Sequence, residues 1–322
     1  MNKLTSHRLF QPGLSPKVLV DQLRKLDGVC LTSTSMRDAG QSDFKNRLRI
    51  YDLKSLAPHY NNMGLFSAEC HGGARWHVGI MNRKENPFEE ITLLRKLMPN
   101  VMLQTLIRET NLWGYRPYAP NVIKHVVANV DIDVWRCFSF LNDIRNMKAV
   151  AEIVMARGRL FEPAISFTQA DWATNEYYLG VTRDIVSLCS GTDESILCIK
   201  DMAGVGSPAR ISSLVGAIKQ KYPDLVIHYH RHTTDGMALP ALMAAAKAGV
   251  KILDVQEDSL TRFYGQAPIL SLQAGLEENG ISVHLNRAEA EAAVEKVRGW
   301  IRQYDWAESP FRGFDHCVTK HR

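Results

Sequence analysis

The chain has six cysteines but no Cys-x-x-Cys pair. That absence removes the usual signature of a zinc ribbon or a thioredoxin-like redox centre. The thiols sit instead in apolar runs such as Val29-Cys30-Leu31 and Ile196-Leu197-Cys198-Ile199. Such settings predict reduced, buried side chains rather than a disulfide framework. No run of about 18 apolar residues is present, so no membrane-spanning helix is expected. No block of five like charges occurs, and the net charge of +5 is dispersed along the chain. Neither nucleic acid nor a membrane surface is therefore expected as a partner. The first twenty residues lack a signal-peptide core, and a cytoplasmic location is the expectation. Internal repeats, low-complexity tracts and clear linkers are also missing.

A further absence bears on the fold. No Gly-x-Gly-x-x-Gly follows the first predicted strand, which removes the main sign of a dinucleotide-binding sheet. What is present is a regular alternation of short apolar segments with amphipathic stretches. The predicted strands are Val29–Thr32, Leu65–Glu69, Met102–Ile107, Val134–Phe140, Pro163–Thr168, Ile196–Lys200, Val226–His230 and Ile252–Val255. Between them the spacing predicts helices, among them Pro87–Leu97, Ala119–Asn129, Asn142–Arg157, Ala173–Leu188, Ala209–Lys219 and Leu239–Ala248. Eight such units favour a single (β/α)8 TIM barrel over an open doubly wound sheet. The barrel is expected over residues 1–286. Residues 287–322 are expected as a C-terminal helix, Arg287–Tyr304, and a loop-like tail from Ala307, packed on the barrel.

The segment VIHYHRHTTDG places His228, His230 and His232 at alternate positions. A strand turns alternate side chains to one face, and neighbouring neutral imidazoles commonly begin a transition-metal site. In a TIM barrel, chemistry collects where strands end. Polar residues fall there: Ser33 to Ser42, Glu69 to Gly73, Arg108 to Asn111, Lys200-Asp201 and His230 to His232. His230, His232 and Asp38 form a mixed nitrogen and oxygen set suited to Zn²⁺, Mn²⁺ or Co²⁺. Asp38 also reads as a helix N-cap, and His228 as a residue packed deeper in the barrel. Lys200, ending an apolar run, requires compensation. It has three readings: an ion pair with Asp201, a low-pKa amine, or a modified anionic ligand. Arg37 and Arg108 read as receptors for a carboxylate or an enolate, or as partners of a neighbouring Asp or Glu.

In order along residues 29 to 273, the chain resembles the carboxyltransferase domain of biotin-dependent pyruvate carboxylase. It is similar also to the oxaloacetate decarboxylase alpha subunit and its transcarboxylase relatives. The resemblance rests on MRDAGQS (36–42) with Arg47 and Arg49, GGA (72–74), MPNVMLQTLIR (98–108) and GY (114–115). SFLNDIRNM (139–147), IKDMAG (199–204) and HYHRHTTDG (228–236) complete it. It implies a barrel that moves a carboxyl group between biotin and the methyl carbon of a small oxo acid. It further implies a divalent metal on Asp38, His230, His232 and a carbamylated Lys200. Arg37, Gln41 and Arg108 would then hold the oxo acid and its enolate. Biotin would arrive on a separate carrier, alongside a biotin carboxylase, and a homodimer is the assembly implied.

The pattern is not copied throughout. Tyr264 stands where the family carries a proton-shuttling threonine, Gly40 where it has histidine, His71 for a tryptophan and His77 for an aspartate. Glu109 stands for a glycine, Ser139 for an aspartate and Thr233 for another aspartate. Because these departures surround the metal and keto-acid residues, two further readings stand beside carboxyl transfer. One is a biotin-independent metal-dependent decarboxylase or lyase. The other is a catalytically silent subunit of a carboxylase complex.

Overall fold

The computed structural model describes residues 10–261 and 264–304. The tail from Ala307, Cys317, and Arg262-Phe263 beside Tyr264 lie outside the described residues. Eight parallel strands follow one another around a barrel: β1 Cys30–Ser33, β2 Ser67–Gly72, β3 Met102–Ile107, β4 Val134–Phe138, β5 Leu160–Ser166, β6 Ile196–Asp201, β7 Val226–Arg231 and β8 Ile252–Gln256. Each pairs with the next, and β8 returns to β1 with Cys30 opposite Ile252 and Ser33 opposite Val255. That last pairing closes the (β/α)8 TIM barrel. A two-residue strand, β9 Ala267–Pro268, lies outside β8.

The strands sit close to the sequence expectation, with informative shifts. β5 begins at Leu160 rather than Pro163, because the proline blocks only one ladder donor and the chain before it still pairs with β4. β4 stops at Phe138, leaving Phe140 and Leu141 exposed at 74% and 70%. The expected helix over 142–157 divides into a 3₁₀ turn, Ile144–Met147, and a helix, Lys148–Ala156. Asp143 caps the turn by accepting from the Arg145 amide.

Alternation along the strands separates two environments. Leu103, Trp135, Leu197, Ile199, Ile227 and Leu253 turn outward and pack beneath the helices. The first inward residues, Cys30, Met102, Val134, Leu160, Ile196, Val226 and Ile252, form a separate apolar layer. Helix Pro16–Lys25 covers that layer with Leu19, Val20 and Leu23, so the N-terminal end of the barrel is plugged. Ser15 caps this helix and Pro16 opens it, the arrangement favoured at a helix start.

Above the plug the interior is polar, unlike the branched apolar layers usual in such barrels. Thr32, Ser67 and Gln104 form a hydrogen-bonded chain with contacts of 2.9 and 2.8 Å. Arg136 donates to Glu162 and to Asp254, each at 2.5 Å, and all three are fully buried. Buried charges persist only when paired in this way. Helix Arg287–Gln303 packs against helix Ile50–Tyr60 and buries Val294, Val297 and Trp300. Among the described residues, no helix is long and apolar enough to cross a membrane.

Candidate active site

The C-terminal ends of the strands converge on Asp38, Lys200, His230 and His232. Asp38 lies in a π-helical turn, Ser35–Ala39, that follows β1 at once. Its side chain caps no helix; it points to the imidazoles instead. His230 is the fifth residue of β7, and His232 stands two residues on, so both face inward by strand alternation.

Asp38 Oδ2 is 3.2 Å from His230 Nε2 and 3.2 Å from His232 Nε2. Two donors bound about 2.1 Å from one ion stand roughly 3.0–3.4 Å apart at octahedral to tetrahedral angles. The separations found here fit a shared divalent ion. The opposite ring nitrogens are engaged elsewhere. His230 Nδ1 meets Asp254 Oδ2 at 2.5 Å, and His232 Nδ1 is bonded to the Tyr264 main-chain carbonyl. Both imidazoles therefore turn Nε2 toward the centre, the orientation that such partners impose on metal-binding histidines. Lys200 Nζ is 3.3 Å from His230 Nε2.

The electrostatics favour ligand-ready forms. Burial opposes ionisation of Asp38, but Arg37, His232 and His230 together hold its carboxyl well below the usual range. Burial and then Lys200 lower the pKa of His230, which favours the neutral imidazole. Burial also lowers the pKa of Lys200, against the pull of Asp38. Lys200 makes no pair with Asp201. That carboxylate accepts from the Val205 and Gly206 amides and holds the following loop.

A cavity of about 260 Å³ opens above this centre, lined by Arg37, Asp38, Gln41, Arg108, Lys200 and His232 together with Gly73, Phe138 and Met202. Six of the eight sequence-selected residues thus share one wall. His230 lies buried beneath them, and Tyr264 is not part of the lining. Arg37 is strongly committed: it grips Glu69 through two contacts of 2.8 and 3.1 Å and touches Asp38 at 3.2 Å. Arg108 is freer. One Nη donates to the Gly114 carbonyl, and the guanidinium stacks 4.8 Å over the Tyr115 ring. A Cβ at Gly73 would come within 2.5 Å of that guanidinium, so the small residue makes room for it.

His228 lies a layer deeper, bonded to Asp254 at 2.6 Å, to Glu162 at 3.2 Å and to Arg136. Sequence reading missed Asp254, Arg136 and Gln266. Gln266 donates to Asp38 Oδ2 at 3.1 Å and accepts from Thr34 at 2.6 Å, which ties the β8 loop to the centre. One signal was available for two of them. Arg136 in VWRCF and Asp254 in ILDVQ are charges at strand midpoints, where an inward side chain needs an opposite partner.

No family model matches the chain. The mitochondrial pyruvate carboxylase of Rattus norvegicus is 34% identical over 315 residues, covering 94% of this chain and 26% of that protein. The pyruvate carboxylase of Staphylococcus aureus is 35% identical over 305 residues, or 90% and 26% of the two. The carboxyl transferase domain from Rhizobium etli pyruvate carboxylase, solved with pyruvate and biocytin, matches with a TM-score of 0.89 at 32% identity. That match covers 95% of this chain and 52% of the other. The chain spans about a quarter of the length of the curated relatives it matches. Colinear sequence and a shared closed barrel make this chain a homologue of the carboxyltransferase domain of pyruvate carboxylases.

Proposed function

We propose that the chain is a biotin-dependent carboxyltransferase that moves a carboxyl group between biotin on a separate carrier and pyruvate or a close small oxo acid. The observation that carries this reading is the single cavity over Asp38, His230 and His232, walled by Arg37, Gln41, Arg108 and Lys200. A biotin carboxylase and a biotin carrier are the partners this activity needs, with a homodimer as the assembly. A cytoplasmic location belongs to the same reading, supported by the five cysteines among the described residues, all free and buried.

Asp38, His230 and His232 would hold the divalent ion, which would act as a Lewis acid on the ketone oxygen of the substrate. Burial favours the neutral amine of Lys200. In that form its nitrogen can bond to the carbon of CO2 and lose a proton, giving a carbamate that supplies an anionic oxygen beside His230. Arg108 and Gln41 face the cavity with no carboxylate partner among the described residues, and they take the substrate carboxylate. Arg37, fixed by Glu69, contributes positive charge where the enolate oxygen develops, and the buried setting strengthens that stabilisation. Tyr264 stands where the family carries its threonine, and its phenol would have to swing into the cavity to exchange a proton between the oxo acid and biotin.

The test is pyruvate formation from oxaloacetate with and without added biocytin, beside metal analysis of the purified chain. Biocytin-stimulated turnover with stoichiometric metal is expected. Biotin-independent cleavage would instead support a decarboxylase or lyase, a reading favoured by the absence of Tyr264 from the cavity wall. No turnover and no bound metal would leave the silent-subunit reading.

A further inference from the structure

The amide of Gln266 stands among the candidate ligand atoms. It is fully buried, and its Nε2 lies 3.1 Å from Asp38 Oδ2 and 3.3 Å from His232 Nε2. Those separations match the 3.2 Å between Asp38 Oδ2 and each imidazole Nε2. All fall within the roughly 3.0–3.4 Å expected between atoms that share one divalent ion. Lys200 Nζ flanks His230 Nε2 at 3.3 Å in the same way, while Gln266 flanks His232.

Elementary chemistry decides which end of that amide faces an ion. His232 Nδ1 is bonded to the Tyr264 carbonyl, so Nδ1 carries the proton and Nε2 turns its single lone pair to the centre. A lone pair bound to a cation cannot also accept from Gln266. An NH₂ held in place would then aim its positive hydrogens at a divalent ion. Turning the amide over exchanges two atoms of nearly equal size and presents Oε1, a hard oxygen donor. Thr34 can serve either orientation. Its hydroxyl lies 2.6 Å from Gln266 Oε1 and 3.0 Å from the Val255 carbonyl. A hydroxyl has one proton, so those two oxygens compete for it. With the amide turned over, the NH₂ donates to the hydroxyl, the hydroxyl donates to Val255, and the competition ends.

We propose that Gln266 is a further metal ligand through Oε1, held in that orientation by Thr34. The assignment rests on the reading that Asp38, His230 and His232 bind a divalent ion. A neutral oxygen added to that set raises the ligand count and makes the donors harder. It therefore favours Mn²⁺, which takes oxygen ligands and octahedral sites, relative to Zn²⁺, which is content with four.

The experiment is competition of the full chain against a chromophoric chelator, run once with Mn²⁺ and once with Zn²⁺. Gln266→Leu should weaken Mn²⁺ binding by at least about tenfold, the smallest loss typical of a group supporting a metal, and Zn²⁺ binding by clearly less. Thr34→Val should shift the two ions in the same order by a smaller factor, and it carries the test if Gln266→Leu does not fold. Thr34→Ser keeps the hydroxyl and should bind both ions as wild type does. In crystals of the Mn²⁺-loaded chain the amide oxygen should lie about 2.2 Å from the ion. Equal losses for the two ions in Gln266→Leu and Thr34→Val, or no loss in either, overturn the assignment, as does an amide that still donates to Asp38 in the loaded crystal. A wild-type chain that binds neither ion overturns the metal reading and the proposal with it. Wild-type binding that is indifferent to both variants overturns the proposal alone.

Discussion

Asp254→Asn tests how the barrel interior supports the candidate centre. The carboxylate is fully buried and meets Arg136 at 2.5 and 3.3 Å, His228 at 2.6 Å and His230 at 2.5 Å. Asparagine keeps the shape but removes the charge and turns an NH₂ toward one of these donors. Arg136 would then keep only Glu162 at 2.5 Å, with Glu69 distant at 3.9 Å. Breaking one half of a buried pair costs about 3–5 kcal/mol. Retention of one accepting oxygen places the expectation at the lower end, about 3 kcal/mol. Loss of the partner that orients a metal-binding histidine weakens metal affinity about 10–100-fold. Two assays separate these effects: urea unfolding in the presence of a chelator, and competition for metal against a chromophoric chelator. The expected result is a lower unfolding midpoint in the first and a rise in the metal dissociation constant in the second, with unchanged stoichiometry. A folded Asp254→Asn protein with wild-type metal affinity would refute the orienting role. Unaltered stability would refute the buried-pair argument.

Three further outcomes are expected. Lys200→Ala should abolish turnover and weaken metal retention, read by metal content after dialysis; unchanged values for both would defeat its assignment as a ligand. Leu23→Ala opens the apolar plug at the far end of the barrel and should cost about 2–5 kcal/mol on urea unfolding. Metal affinity measured well below the new midpoint should not change, and a large loss there would show that the two ends are coupled. Glu257 is buried beside Tyr60, and its pKa is raised, by burial first. A raised carboxyl pKa favours the folded state fully below the unfolded value of 4.5, and that favour is lost as pH rises through the folded value. Glu257→Gln should therefore gain stability relative to wild type on going from acid to neutral pH. Parallel melting-temperature curves across that range would contradict the shift.

The barrel was legible because its signal is local and repeated. Eight apolar segments at near-regular intervals, each followed by helical spacing, leave few topologies once connections are required to be short and right-handed. The candidate ligands were legible for a related reason. His230 and His232 alternate on one strand, while Asp38 and Lys200 fall where strands end, so position along the chain already implies a common rim. Strand ends were less exact: β5 reaches back past Pro163 to Leu160, since pairing with β4 rather than apolar content decides where a ladder starts. The short strand β9 and the plug helix Pro16–Lys25 answer to neighbours far away in sequence, and no local pattern announced what they would cover.

The sequence by itself determined which residue types reach the mouth of the barrel, because strand alternation and strand termination are properties of the chain. Only the tertiary structure decided who meets whom there. Arg37 could have been an open anion receptor, yet barrel closure brings Glu69 from the next strand within 2.8 Å and occupies it. Lys200 could have paired with Asp201, yet adjacent strand residues face opposite ways, so the amine turns inward to His230 and the carboxylate outward to the loop. Asp254 acquires its role from Arg136, 118 positions earlier in the chain and across the interior. Burial then does the rest: in a medium that solvates charge poorly, each ionised side chain must find its partner across the barrel, and those partners exist only once the sheet has closed.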